Sequence, residues 1–187
     1  MHLSIQANAL YFQSHRLFVD LDGVLVDFEG GVEQALGRTV DSFHPRNELW
    51  KSVSAIPEFY ANLPWTSDGK FLWSAVKNLC PSILTGVPRG NWAEPQKRAW
   101  CRKNIGEDIE VFVCLSSEKS AVASGVCDGE LTPILIDDRN SLREGWEHIG
   151  GIFIHHRNTE ESLQELQSHL KQYIHNTDRD ARTLFNE

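Results

Sequence analysis

The chain has 187 residues, 41% hydrophobic and 24% charged, with a formal net charge of −8 and a sequence pI near 5.5. That length predicts one domain with a real core, since about 70% of the unfolded surface is buried at this size. The acidic balance argues against a protein that tracks a nucleic-acid backbone, which needs a basic stripe. No run approaches the ~18 apolar residues of a membrane helix.

The first fifteen residues lack the basic and apolar regions of a signal peptide. Leu10-Tyr11-Phe12-Gln13-Ser14 is faintly similar to a protease-cleavage scar, so this stretch is set aside from fold reasoning. Short apolar runs then alternate with helical segments. Leu17–Val19 is the first predicted strand and ends at Asp20. Ser82–Leu84 ends at Thr85, and Ile109–Leu115 is the third strand. Ile134–Ile136 ends at Asp137, and Ile152–Ile154 ends at His155. Continuous short apolar runs suit strands buried on both faces.

Helices are predicted over residues 94–104, 140–148 and 159–175, the last with Leu163, Leu166, Leu170 and Ile174 on one face. Strand–helix alternation predicts an α/β fold, a Rossmann-like parallel sheet flanked by helices. The interval 28–78 is too long for one crossover and is rich in aromatics, so it predicts a small helical cap inserted after the first strand. The domain reading is therefore 16–27 with 79–176 as the core, 28–78 as the cap, and 1–15 with 177–187 as flexible termini. None of Cys80, Cys101, Cys114 and Cys127 forms a C-x-x-C pair, which points to a reducing, intracellular setting.

In an open parallel sheet, ligands bind outside the carboxyl ends of the strands. Those ends carry Asp20 and Asp22, then Thr85, then the segment Ser116–Lys119, then Asp137 and Asp138. Carboxylates gathered at one edge repel one another, and a divalent cation resolves the repulsion; all-oxygen ligands fit Mg²⁺. A carboxylate can attack phosphorus, and a second one two residues on can act as acid and then base. Gly23 lets the backbone turn sharply between them.

Each residue also has a plainer reading. Asp20 and Asp22 could form a solvated strand-end turn, Asp137 and Asp138 a helix N-cap, and Thr85 a β-branched strand residue. The clustering of all of them at one edge favours chemistry. Lys119 can supply the positive charge that phosphoryl transfer needs. Lys97 is the alternative, although among Arg98, Arg102 and Lys103 it reads as part of a solvated helix face. His155-His156 reads as a polar turn and Trp146 as packing.

Asp20-Leu21-Asp22-Gly23-Val24, a strand ending in Thr85, the downstream Lys119 and a strand ending in Asp137-Asp138 resemble the four-motif signature of the haloacid dehalogenase superfamily of phosphohydrolases. Within it, residues 20–31 (DLDGVLVDFEGG), the Lys119 segment, Ile136–Arg139 and Trp146-Glu147-His148 look like the 5′(3′)-deoxyribonucleotidases. The resemblance implies Mg²⁺-dependent removal of phosphate from nucleoside monophosphates. It implies Asp20 as nucleophile and Asp22 as acid/base. The metal would be held by Asp20, the Asp22 backbone carbonyl and Asp138, with Asp137 supporting. Thr85 and Lys119 would grip the phosphate, aided by Gly86, while Phe28 and Arg139 would contact the substrate.

The chain departs from the family after Thr85, where Gly86-Val87-Pro88 replaces a usual serine, and in Gly125–Thr132, which reads as a loop insertion. The expectation is a cytoplasmic phosphatase for a small phosphomonoester, without a nucleic-acid or membrane partner and with a homodimer left open. The alternatives are another small phosphomonoester as substrate, or a nucleotide-binding module without turnover.

Overall fold

The computed structural model describes the backbone of residues 11–184 and the side chains through residue 176. Of the flexible termini expected at 1–15 and 177–187, residues 1–10 and 185–187 lie outside the described residues. Five strands form one parallel sheet: β1 (His15–Val19), β2 (Ser82–Gly86), β3 (Val111–Cys114), β4 (Thr132–Asp137) and β5 (Ile152–His155). Their order is β3-β2-β1-β4-β5. The apolar runs read from the sequence all become strands. Their core residues, from Leu17 and Phe18 to Ile134, Leu135 and Ile136, are fully buried. Two hydrophobic clusters form, one containing Leu17 and Val19 and the other Phe18 and Leu135. This is the two-faced burial that parallel sheets require.

The chain leaves β1 toward β2 and β3, then returns to the other side of β1 with β4 and β5. The β1/β4 boundary is therefore the topological switch point, where a crevice opens at the carboxyl edge. The register aligns Val19 with Ile136, and the Asp20 amide donates to the Ile136 carbonyl at 3.0 Å. Asp20 and Asp137 consequently leave the sheet side by side.

Between β1 and β2 lie α1 (Phe28–Leu36), α2 (Arg46–Ser54) and α3 (Gly69–Val76). Asp27 caps α1 by accepting from the Gly30 amide at 2.9 Å. Phe28 packs on Trp50, Phe59 and Tyr60, and Phe59, Tyr60 and Trp73 join the cluster of Leu17 and Val19, so the aromatics of the insertion pack into the main core. The start of α3 is tied to the last helix, whose Thr159 amide and hydroxyl donate to the Asp68 carboxylate and carbonyl at 2.6 and 3.1 Å.

The remaining helices are α4 (Ala93–Asn104), α5 (Lys119–Cys127), α6 (Arg143–His148) and α7 (Thr159–Leu184). Three expectations are corrected. The supposed insertion Gly125–Thr132 is half regular structure, with a four-residue turn between Cys127 and Thr132, because the helix runs on to Cys127 before Asp128 turns it with a left-handed conformation. Residues 11–14 are helical rather than a loose terminus, and Tyr11 is buried and stacked on His15. The last helix runs to Leu184 instead of ending near His175.

Candidate active site

Asp20 continues β1 beyond the last ladder pair and is buried. Its Oδ1 lies 2.8 Å from Lys119 Nζ, an ion pair that gives this oxygen no hydrogen bond of regular geometry. Lys119 opens α5 and is itself buried; it donates to Asp137 Oδ2 at 2.6 Å. One ammonium thus sits between two carboxylates. Burial opposes its charge, but Asp20 and Asp137 outweigh burial and raise its pKa.

Asp138 follows Asp137, and the Arg139 amide donates to Asp137 Oδ1 at 2.8 Å. Asp20, Asp137 and Asp138 each offer one ligand atom, and all three lie within 4.8 Å of one another. Burial, then the charges of Asp20 and Asp137, push Asp138 up to about 7. Burial and Asp20 likewise push Asp137 up, against the pull of Lys119. Three carboxylates facing one ammonium leave two negative charges, the charge that a divalent cation offsets. The all-oxygen donor set fits Mg²⁺.

Gly23 closes this cluster from the other side. Its φ of +75° is a left-handed conformation, and a Cβ there would lie 2.4 Å from Asp138 Oδ2. Only glycine meets both demands. Its amide donates to the Val26 carbonyl at 2.9 Å, which folds the turn back on itself.

Asp22 is placed differently from the other acids. Its carboxylate is absent from the three-acid group and accepts from Lys97 Nζ at 2.6 Å through Oδ2. The Asp22 side chain is therefore not brought into the acid group with Asp20, Asp137 and Asp138. Its Oδ1 is buried with no hydrogen-bond partner. Burial raises its pKa, Lys97 opposes this and Asp20 adds to it.

Lys97 is the residue that the sequence reading underrated. Far from lying on a solvated face, it is 1% exposed and donates also to Thr85 Oγ1 at 3.0 Å. Its Nζ sits 4.5 Å from the Tyr60 ring centroid. The signal was present in α4, where Ala93, Lys97, Trp100 and Cys101 are the buried positions. That is an i, i+4, i+7, i+8 stripe, so Lys97 falls on the apolar face despite its basic neighbours. The choice between Lys97 and Lys119 dissolves, because both reach the site.

Thr85, in β2, is fully buried. Gly86 follows it, and a Cβ there would meet Ser116 Oγ at 2.2 Å. Gly86 and Arg139 line both a 560 Å³ cavity beside Asp22 and a 770 Å³ cleft over Asp20. Phe28 lines the cleft alone. His155 faces the Asp138 carbonyl at 2.9 Å and His156 the Ser162 hydroxyl at 2.9 Å; neither belongs to the acid group. Trp146 is buried and donates to the Pro133 carbonyl, as its packing role requires.

An acid cluster at the switch point of a parallel sheet, with two buried lysines, is consistent with a haloacid dehalogenase-like phosphohydrolase. Two of three comparisons with known proteins find similar chains. The chain is 26% identical, over a 164-residue alignment spanning 72% of it and 71% of the relative, to the mitochondrial 5′(3′)-deoxyribonucleotidase of Mus musculus. Its fold is similar to that of a hydrolase from Streptococcus pneumoniae TIGR4, with a TM-score of 0.53 and 15% identity over 83% of this chain and 99% of that one. No protein-family model matches the chain. Among the described residues no helix is long and apolar enough to cross a membrane.

Proposed function

We propose that the protein is a Mg²⁺-dependent phosphomonoester hydrolase that works through an aspartyl-phosphate on Asp20 and acts on nucleoside monophosphates. One observation carries the reading: Asp20 is held by Lys119 within the acid cluster, while Asp22, two residues on, is held apart by Lys97. Two carboxylates so close in sequence receive different environments, and differing environments separate acid from nucleophile.

Asp20 attacks phosphorus, and the bond to the ester oxygen breaks. Asp22, whose raised pKa favours its protonated form, gives that oxygen its proton. Lys97 and Thr85 bind phosphoryl oxygens, and Lys119 keeps Asp20 oriented. Asp22, now a carboxylate, takes a proton from water as that water attacks the aspartyl-phosphate. Inorganic phosphate leaves, Asp20 is restored and Asp22 is protonated again. Asp20 and Asp138 would hold the metal with Asp137 supporting, and the metal would supply charge neutralisation for the transferred phosphoryl group.

The similarity to the mouse enzyme supports a nucleotide as substrate, and the aromatic wall of Phe28, Trp50 and Tyr60 supports a planar leaving group. Four free cysteines support a reducing compartment. The test is phosphate release from ribo- and deoxyribonucleoside 5′- and 3′-monophosphates, with Mg²⁺ and with chelator, beside Asp20→Asn. Metal-dependent release that Asp20→Asn abolishes is expected. Release that survives Asp20→Asn overturns the mechanism.

A further inference from the structure

The arginines of this acidic chain are mostly tied to the protein. Arg16 pairs with Glu110, Arg38 packs on Phe43, and Arg46 donates to the Val40 carbonyl. Arg98, Arg143 and Arg157 pair with Glu94, Glu147 and Glu161. Among the described residues, Arg89, Arg102 and Arg139 have guanidinium groups with no hydrogen bond, ion pair or ring contact. Arg102 lies on the exposed face of α4. Arg89 and Arg139 line one and the same 560 Å³ cavity, together with Asp22, Trp50, Tyr60 and Ser116.

The placement of that cavity matters. It includes Asp22, the acid of the proposed mechanism, but neither Asp20 nor Asp138, so a leaving group that takes its proton from Asp22 can extend into it. Arg89 comes from the segment after β2, and Arg139 from the segment after β4. Two strands on opposite sides of β1 therefore bring free guanidinium groups to one chamber. Lys119 is held by Asp20 and Asp137, and Lys97 by Asp22 and Thr85, so both lysines are already engaged. A neutral or apolar leaving group would use neither arginine, whereas guanidinium forks match phosphate and carboxylate in geometry and charge. The half-buried Trp50 offers an apolar wall to the rest of the same group.

We propose that the leaving group carries a second anion, and that the substrate class is a nucleoside bisphosphate, in which one phosphate is hydrolysed at Asp20 while the other is held by Arg89 and Arg139. This rests on the phosphatase reading and sharpens it. One P–O bond breaks, the oxygen of water ends on the released phosphate, the nucleoside oxygen takes a proton, and the second phosphate stays attached. Two arginines in this chamber of a protein of net charge −8 also attract the dianionic end of the ligand as it approaches.

The experiment compares kcat/KM for deoxythymidine 3′,5′-bisphosphate and deoxythymidine 5′-monophosphate in the wild type, Arg89→Gln and Arg139→Gln. The wild type should favour the bisphosphate by about tenfold or more, the effect of a charge-assisted contact. Each substitution should lower that ratio by a similar factor, chiefly through KM. A ratio near one, or a ratio that neither substitution moves, overturns the proposal while leaving the phosphatase reading intact. If no phosphomonoester is hydrolysed, the phosphatase reading fails. Calorimetric binding of the same two nucleotides to Asp20→Asn then decides the second-anion site. Tighter binding of the bisphosphate that Arg89→Gln removes supports it, and equal binding of the two overturns it.

Discussion

Lys97 Nζ lies 2.6 Å from Asp22 Oδ2, although 75 positions separate the two residues in the chain. The ammonium is buried, and it also holds the Thr85 hydroxyl. Removing it strips Asp22 and Thr85 of a shared partner. Lys97→Met should lower kcat by about a hundredfold or more, the scale for losing a preorganised charge in a dry site. Circular dichroism should show the fold intact. Steady-state phosphate release checks this, and activity within threefold of wild type would contradict it.

Asp138 has a folded-state pKa of about 7, against an ordinary carboxylate value of 3.8. A raised acid binds its proton more tightly when folded, so the folded state gains protons relative to the unfolded one between these two values. Its contribution to stability therefore falls as pH rises from about 4 to 7. Asp137 acts in the same sense. A divalent cation should offset this charge. At pH 7.5, millimolar Mg²⁺ should raise Tm by about 3 °C or more, and at pH 5 the rise should largely vanish. Thermal scans at the two pH values check it.

Asp20 is the second cause of that shift, after burial. Asp20→Asn should therefore bring the Asp138 titration down toward the normal carboxylate range in metal-free protein. Carboxyl-carbon NMR titration would follow it. An unchanged Asp138 would mean that burial alone sets its pKa.

The Tyr60 hydroxyl is buried and has no hydrogen-bond partner. Burial and the charges of Asp22 and Asp20 raise its pKa, so it stays a neutral phenol. An unmet buried hydroxyl costs on the order of 1 kcal/mol. Tyr60→Phe should leave the aromatic packing in place and raise Tm by about 2–4 °C. A fall in Tm on differential scanning calorimetry would show that the hydroxyl has a partner after all.

Asp68 joins the first turn of α3 to Thr159, the first residue of α7, through hydrogen bonds at 2.6 and 3.1 Å. The Thr159 amide bond lowers the Asp68 pKa in spite of burial. Asp68→Ala should cost about 1–2 kcal/mol, as capping losses do, and the loss should shrink below pH 4 as the wild-type carboxyl protonates. Urea titrations at pH 7 and pH 3.5 give the comparison.

Much of this was legible beforehand because parallel strands buried on both faces read as uninterrupted apolar runs. The acids at their ends stood out because each directly follows an apolar run, Leu17–Val19 before Asp20 and Ile134–Ile136 before Asp137. Asp20, Asp137 and Asp138 came together as expected from strand-end positions alone. Lys97 was obscured by Arg98, Arg102 and Lys103, since charge density was weighed above helical period. The Gly125–Thr132 segment looked like a loop because glycine is a poor helix former, yet Ala123 and Cys127 are buried against the sheet, and that burial carries the helix through Gly125. Tyr11 was set aside on a short motif, while its burial depends on stacking with His15 and contact with Tyr173, a partner at the far end of the chain.

The order β3-β2-β1-β4-β5 puts β1 at the centre of the sheet, although β2 to β5 all follow it in the chain. Asp20 leaves the ribosome long before Asp137 and Asp138, on the order of ten seconds at usual elongation rates. Until β4 arrives, β1 lacks a neighbour on one side and Asp20 lacks its companions. A nascent chain stalled before residue 132 has Asp20 but no assembled acid group, so the cluster cannot form until β4 and the two acids at its end have been made. The arrival of β4 thereby sets the moment at which the cluster can assemble.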